Sequence, residues 1–139
     1  MKTPEHSDPT LVKYDTREII LFENRISDLM FAIASKFSGR VKTTQLMRDD
    51  DFVHRRDRTT NDFHLFLELK NGQYFHLRAY TRHMLDKGKI TEDKILLTGY
   101  TKSSVSQTGG EHALRQGWYS WNAEAIANEI VSQNEEIFG

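Results

Sequence analysis

Hydrophobic residues recur at Ile19, Phe22, Ile26, Leu29, Met30, Ile33 and Phe37, three or four positions apart, which places them on one face of an α-helix. The preceding Asp15-Thr16-Arg17-Glu18 has the form of a capping box, with an N-cap carboxylate and a glutamate three residues on, and Gly39 offers a left-handed stop. The period then changes. The stretch VKTTQLM, rich in β-branched residues, predicts a strand over residues 40–47. The charged stretch RDDDFVHRRDRTTND predicts a long exposed connection over residues 48–62, with an irregular strand near Phe52 and Val53.

Residues 62–80 carry strict alternation, and it fixes a register. A two-residue turn at Asn71-Gly72 would set Glu68 opposite Phe75 and Leu67 opposite His76, mixing polar and apolar side chains on both faces. A three-residue loop, Lys70-Asn71-Gly72 with Gly72 left-handed, instead pairs Leu67 with Phe75, Leu65 with Leu77 and Phe63 with Ala79. That face is apolar and suits burial under the helix. The opposite face then pairs Glu68 with Tyr74, Phe66 with His76, His64 with Arg78 and Asp62 with Tyr80.

Downstream, residues 81–86 predict a helical turn ended by Gly88, residues 90–94 a turn, and KILLTGY a strand over 94–100. The composition of KSSVSQTGG, residues 102–110, is that of a flexible loop. The stretch 112–121 ends in the aromatic cluster GWYSW, with at least one tryptophan expected in the core. Asn122 is a good N-cap for a closing helix, AEAIANEIVSQNEEIF, with Ile126, Ile130 and Ile137 on its face. The order predicts an α+β fold, an antiparallel sheet of about four strands flanked on one side by a long N-terminal helix and a C-terminal helix. Residues 15–139 form one domain in this reading, after a flexible segment 1–14.

Composition narrows the setting. A length of 139 residues suits a single core. The absence of cysteine excludes disulfides, thiolate metal sites and a cysteine nucleophile, and fits a reducing compartment. The opening MKTPEHSDPT has no apolar leader and no later run could span a bilayer, so a cytoplasmic protein without a membrane partner is expected. A net charge of −1 argues against a general nucleic-acid coat. The charge is nevertheless uneven, with eleven Lys and Arg against seven Asp and Glu between residues 40 and 90, and three against seven from residue 91 onward. An anion-binding surface would sit in the middle of the chain.

The richest chemistry lies on the polar hairpin face of His64, Phe66, Glu68, Tyr74, His76, Arg78 and Tyr80. In side-chain type this set resembles the sheet-borne Glu, His and Arg of metal-independent microbial ribonucleases, over one hairpin, and an N-terminal helix on an antiparallel sheet is similar too. The resemblance implies Glu68 as base, His76 or His64 as acid and Arg78 on the phosphate, with no metal. The same residues make a binding face, because Tyr, His and Arg combine stacking area with hydrogen-bond donors. They also suit ordinary cross-strand pairing.

Asp57 with Glu68-Leu69-Lys70 resembles the Asp…Glu-x-Lys set that binds Mg²⁺ in many nucleases; the hairpin register puts Lys70 in the turn, away from the strand where that chemistry needs it. Arg48, His54, Arg55, Arg56 and Arg58 alternate with aspartates, which suits either a phosphate grip or a self-paired loop. The 102–110 loop lacks the Gly-Lys-Ser/Thr end of a P-loop, and the histidines at 6, 54, 83 and 112 lack metal-ligand spacing, so no cofactor is expected. The chain therefore reads as a binding protein without catalysis of its own. His64, Phe66, Tyr74, His76, Arg78 and Tyr80, with Arg55 and Arg56, would hold an anionic or aromatic partner: a nucleotide, a nucleic acid or an acidic protein surface. The size also suits an inhibitor or immunity-type protein, and a hairpin near a sheet edge leaves pairing with a second copy open. The alternative is the ribonuclease reading.

Overall fold

The computed structural model describes residues 16–48, 62–86, 93–104, 107 and 110–135. Helix α1 runs Thr16–Lys36, strand β1 Val41–Arg48, β2 Phe63–Leu69, β3 Tyr74–Ala79, helix α2 Thr81–Asp86, β4 Lys94–Lys102, β5 Glu111–Ser120 and helix α3 Ala123–Gln133. The strands form one sheet in the order β1-β2-β3-β4-β5, every neighbour antiparallel. Sequential antiparallel neighbours need only short returns, so the sheet is a meander. The expected α+β architecture is present, with one strand more than the four expected.

The apolar stripe of α1 is the buried one: Phe22, Ile26, Leu29, Met30, Ile33 and Phe37 lie in the core. They meet Phe63, Leu65, Leu67, Phe75, Leu77 and Ala79 from the hairpin, and Ile95, Leu97 and Leu114 from the last two strands. Helix α3 lies against α1 and β5, burying Ile126, Ala127 and Ile130; Ile137 lies outside the described residues. Its N-cap is Asn122, whose side-chain oxygen accepts from the Ala125 N–H at 2.9 Å. Trp121 plugs the gap between the helices, edge-on to Phe22 at 6.1 Å, with the Arg25 guanidinium 3.9 Å above its ring. Trp118 is 38% exposed. Both helices therefore cover one side of the sheet.

The hairpin adopts the expected register, Phe63 opposite Ala79 through Glu68 opposite Tyr74. Leu69 N–H donates to Gln73 O at 2.8 Å and Gly72 N–H to Leu69 O at 2.9 Å, closing a three-residue loop. Gly72 has φ +91°, a conformation a side chain would strain.

Three expectations for strand ends need correction. Arg48 ends β1 instead of opening an exposed connection, its guanidinium 3.6 Å from Glu23 of α1. Asp62, expected in that same connection, is 5% exposed, because it pairs with Arg78. Lys102, expected to open a loop, ends β4 and is 8% exposed. Residues 1–15 and 49–61 lie outside the described residues, and with them Asp15, Phe52, Val53, Arg55, Arg56, Asp57 and Arg58.

The unanticipated strand is β5, whose burial runs Ala113 and Leu114 in, Arg115 and Gln116 out. Its register against β4 shifts twice around Gly99, and such an irregularity frees backbone groups from the ladder. Helix α3 and nearby side chains take them up. Gln133 accepts from the Arg115 N–H at 3.0 Å, Asn134 Nδ2 donates to Ala113 O, and the Tyr119 hydroxyl donates to Arg115 O.

Candidate functional site on the sheet face away from the helices

Directly paired residues in a sheet point to the same side, so the register assembles the face opposite the helices into rows. Thr43, Glu68, Tyr74 and Lys102 form one row, at the hairpin-turn end. Gln45, Phe66, His76, Tyr100 and His112 form the second, across all five strands. Met47, His64, Arg78 and Thr98 form the third. Six of the seven hairpin residues singled out from the sequence thus belong to one face, and Tyr80, just past β3, meets it through the Arg78 guanidinium over its ring. Tyr100, Lys102 and His112 join them there, three residues that the sequence reading did not place on this face, and Asp62, which it set opposite Tyr80, reaches Arg78.

The middle row carries a run of rings from Phe66 to His112, and His64 of the third row joins it. His64 and Phe66 are near parallel at 6.4 Å, Phe66 and His76 stack at 4.4 Å, and His76 and Tyr100 lie 5.9 Å apart. Tyr100 and His112 follow at 5.0 Å. The expectation that this face is solvated fails at its centre. His64 and His76 are 8% exposed and Phe66 is 4% exposed. They sit mid-sheet, where long side chains from flanking rows lie over them: the Lys102 ammonium is 5.5 Å from the Phe66 ring centre, its stem serving as cover. Tyr74, Arg78, Tyr80 and Tyr100 are half-buried, and His112 is exposed.

His64 Nδ1 and His76 Nε2 are 2.8 Å apart, a separation that holds one proton between two neutral rings. Burial, then the charges of Lys102, His64 and Arg78, push the His76 pKa down from 6.5 to about 2. Its Nδ1 is buried and has no hydrogen-bond partner. Arg78 donates to one oxygen of Asp62 from Nη2 at 2.7 Å and from Nε at 3.2 Å, and its guanidinium lies 4.5 Å over the Tyr80 ring. Burial and the neighbouring Tyr100 raise the Tyr80 hydroxyl to about 12. Glu68 accepts from the Thr43 hydroxyl at 3.0 Å and faces Lys42 at 3.7 Å.

The three residues of the ribonuclease resemblance therefore have different partners: Glu68 engages β1, His76 engages His64, and Arg78 engages Asp62. Lys70 is exposed in the turn, and Asp57 lies outside the described residues. Among the described residues, no group of three or more His, Asp or Glu side chains gathers as metal ligands do.

Lys102 differs from its neighbours. Three other sheet cations face carboxylates, Arg78 at Asp62, Lys42 at Glu68 and Arg48 at Glu23. Lys102 makes no ion pair with a described residue, and burial lowers its pKa. Its stem lines an open cleft of about 610 Å³, with Asn71, Gln73, Ser103 and Gln107 among the other walls. Both the Ser103 N–H and its hydroxyl donate to Gln107 Oε1, at 2.7 and 2.8 Å, which folds the start of the following loop into that wall.

No protein-family model, curated protein or solved structure matches this chain. Among the described residues, no helix is long and apolar enough to cross a membrane.

Proposed function

We propose that the protein is a small binding protein without catalysis of its own, which receives a partner that is both planar and anionic, a nucleotide or a single-stranded nucleic acid, on the sheet face away from the helices. The observation that carries this reading is the ring row, buried at His64, Phe66 and His76 and open to solvent where it reaches Tyr100 and His112. Rings held rigidly from below lose little freedom when a base stacks on them, and such stacking contributes about 1–3 kcal/mol per base. Cations stand in the rows on either side, Lys102 and Arg78. The separate engagements of Glu68, His76 and Arg78 favour binding over acid–base chemistry, because a neutral His76 tied to His64 and a Glu68 tied to β1 share no proton path. The cysteine-free chain fits a cytoplasmic setting for this role.

The test is thermal stabilisation by the four 5′-mononucleotides and by short single-stranded oligonucleotides, with labelled RNA incubated in EDTA alongside. Stabilisation by at least one of them is expected, with affinity about ten-fold lower in Tyr100→Ala, and the RNA is expected to remain intact. The absence of any shift would end the reading. Cyclic-phosphate ends abolished by Glu68→Gln would replace it with the ribonuclease.

A further inference from the structure

We propose that Lys102 is the phosphate-binding group of this face, seating the phosphate of a nucleotide whose base stacks two residues away at Tyr100. The proposal rests on the reading above and deepens it. Its first support is contrast: Lys102 is 8% exposed and lacks a carboxylate partner among the described residues, whereas Arg78, Lys42 and Arg48 each face one. An ammonium partly withdrawn from water without a counter-ion costs stability unless something returns the lost interaction.

The second support is independent of charge. His76 Nδ1, on the ring that stacks with the Phe66 ring Lys102 approaches, is a buried polar atom with no hydrogen-bond partner. Because one proton bridges His64 and His76, Nδ1 is either an unmet donor or an unmet acceptor. A phosphate monoester serves both cases, since its oxygens accept and its monoprotonated form donates. Room is the third support. The cleft along the Lys102 stem measures about 610 Å³, within the span of small-ligand pockets. Its side-chain amides and the Ser103 hydroxyl can order around sugar hydroxyls and phosphate oxygens without competing negative charge at the ammonium. Among the described residues on the cleft wall Glu111 is the one carboxylate, and it makes no ion pair with Lys102. Tyr100 and Lys102 are alternate residues of β4, about 7 Å apart on one face, a spacing that a mononucleotide bridges from base to phosphate.

Calorimetry with each 5′-mononucleotide and its nucleoside, on the full chain, tests the assignment. The nucleotide is expected to bind about ten-fold tighter or more, the factor a charge-assisted hydrogen bond supplies. Lys102→Met should erase that margin while raising the melting temperature of the ligand-free protein; Lys102→Arg should keep the margin. Inorganic phosphate should compete with the nucleotide in the parent protein and shift the His76 ring resonances with the same affinity. A margin that survives in Lys102→Met, a phosphate titration that leaves His76 unmoved, or a Lys102→Met protein less stable than the parent would overturn the assignment and leave the stacking face intact. If neither nucleotides nor nucleosides bind, the reading of the face falls and the phosphate site with it.

Discussion

Lowering the pH from 7.5 to 5 should destabilise the protein by a calculable amount through one buried ring. Unfolded, the His76 imidazole titrates at 6.5; folded, it resists protonation down to about 2. Between those values the unfolded chain holds one more proton, so stability rises with pH across the window and is lost as pH falls through 6.5. Above the window the ring is neutral in both states and contributes nothing. One unbalanced proton is equivalent to about 1.4 kcal/mol per pH unit, which integrates to about 0.8 kcal/mol at pH 6 and about 2 kcal/mol at pH 5. Against a typical stability of roughly 5–15 kcal/mol, the loss at pH 5 is large. Urea unfolding at pH 7.5, 6 and 5, followed by the fluorescence of Trp118 and Trp121, measures it directly. The control is His76→Phe, which keeps a flat ring between Phe66 and Tyr100 and should remove one proton from the slope. Equal stability at pH 7.5 and pH 5, or an unchanged slope in the variant, would refute the reasoning. So would a His76 resonance that titrates near 6.5 in the folded protein.

Two further substitutions probe the scaffold. Asn122→Ala removes the side chain that caps the N-terminus of α3 and should cost about 1 kcal/mol in urea unfolding, with little change in the sheet face. Gly99→Val puts a side chain where a Cβ already meets Phe75 and Leu114 at 3.0 Å; a loss of about 1–3 kcal/mol is expected, and a neutral result would mean that β4 lies farther from β3 and β5 than described.

The hairpin was legible because its pattern carries two independent constraints that agree. Alternation at residues 63–69 and 74–79 demands one face of leucine and phenylalanine, and Gly72 supplies the one backbone conformation that joins the strands in that register. Strand β5 was not legible because its irregular pairing breaks the two-residue period: Ala113 and Leu114 are buried in succession, and the groups this frees are met by Gln133 and Asn134 at the end of α3 and by Tyr119 of β5 itself. The site shows the same division. Which hairpin residues share a face follows from parity alone. That His64 and His76 are shut from water depends on neighbouring strands, on how β4 aligns with β3 and on where a lysine rests its stem. A strand reading that stopped at Tyr100 left that lysine in a loop. Carrying the alternation of β4 two residues further would have placed Lys102 on the same face as Tyr100.

The contacts from α3 to β5 tie the two sides of the sheet together mechanically. Gln133 and Asn134 hold Arg115 and Ala113 from the helical side, while His112, the next residue along, projects its ring towards Tyr100 on the far side. Peeling away the last turn of α3 would strand those backbone groups without partners and slacken the terminal stretch of the outermost strand. The end of the ring row open to solvent therefore owes its rigidity to the tail of a helix packed against the other side of the sheet.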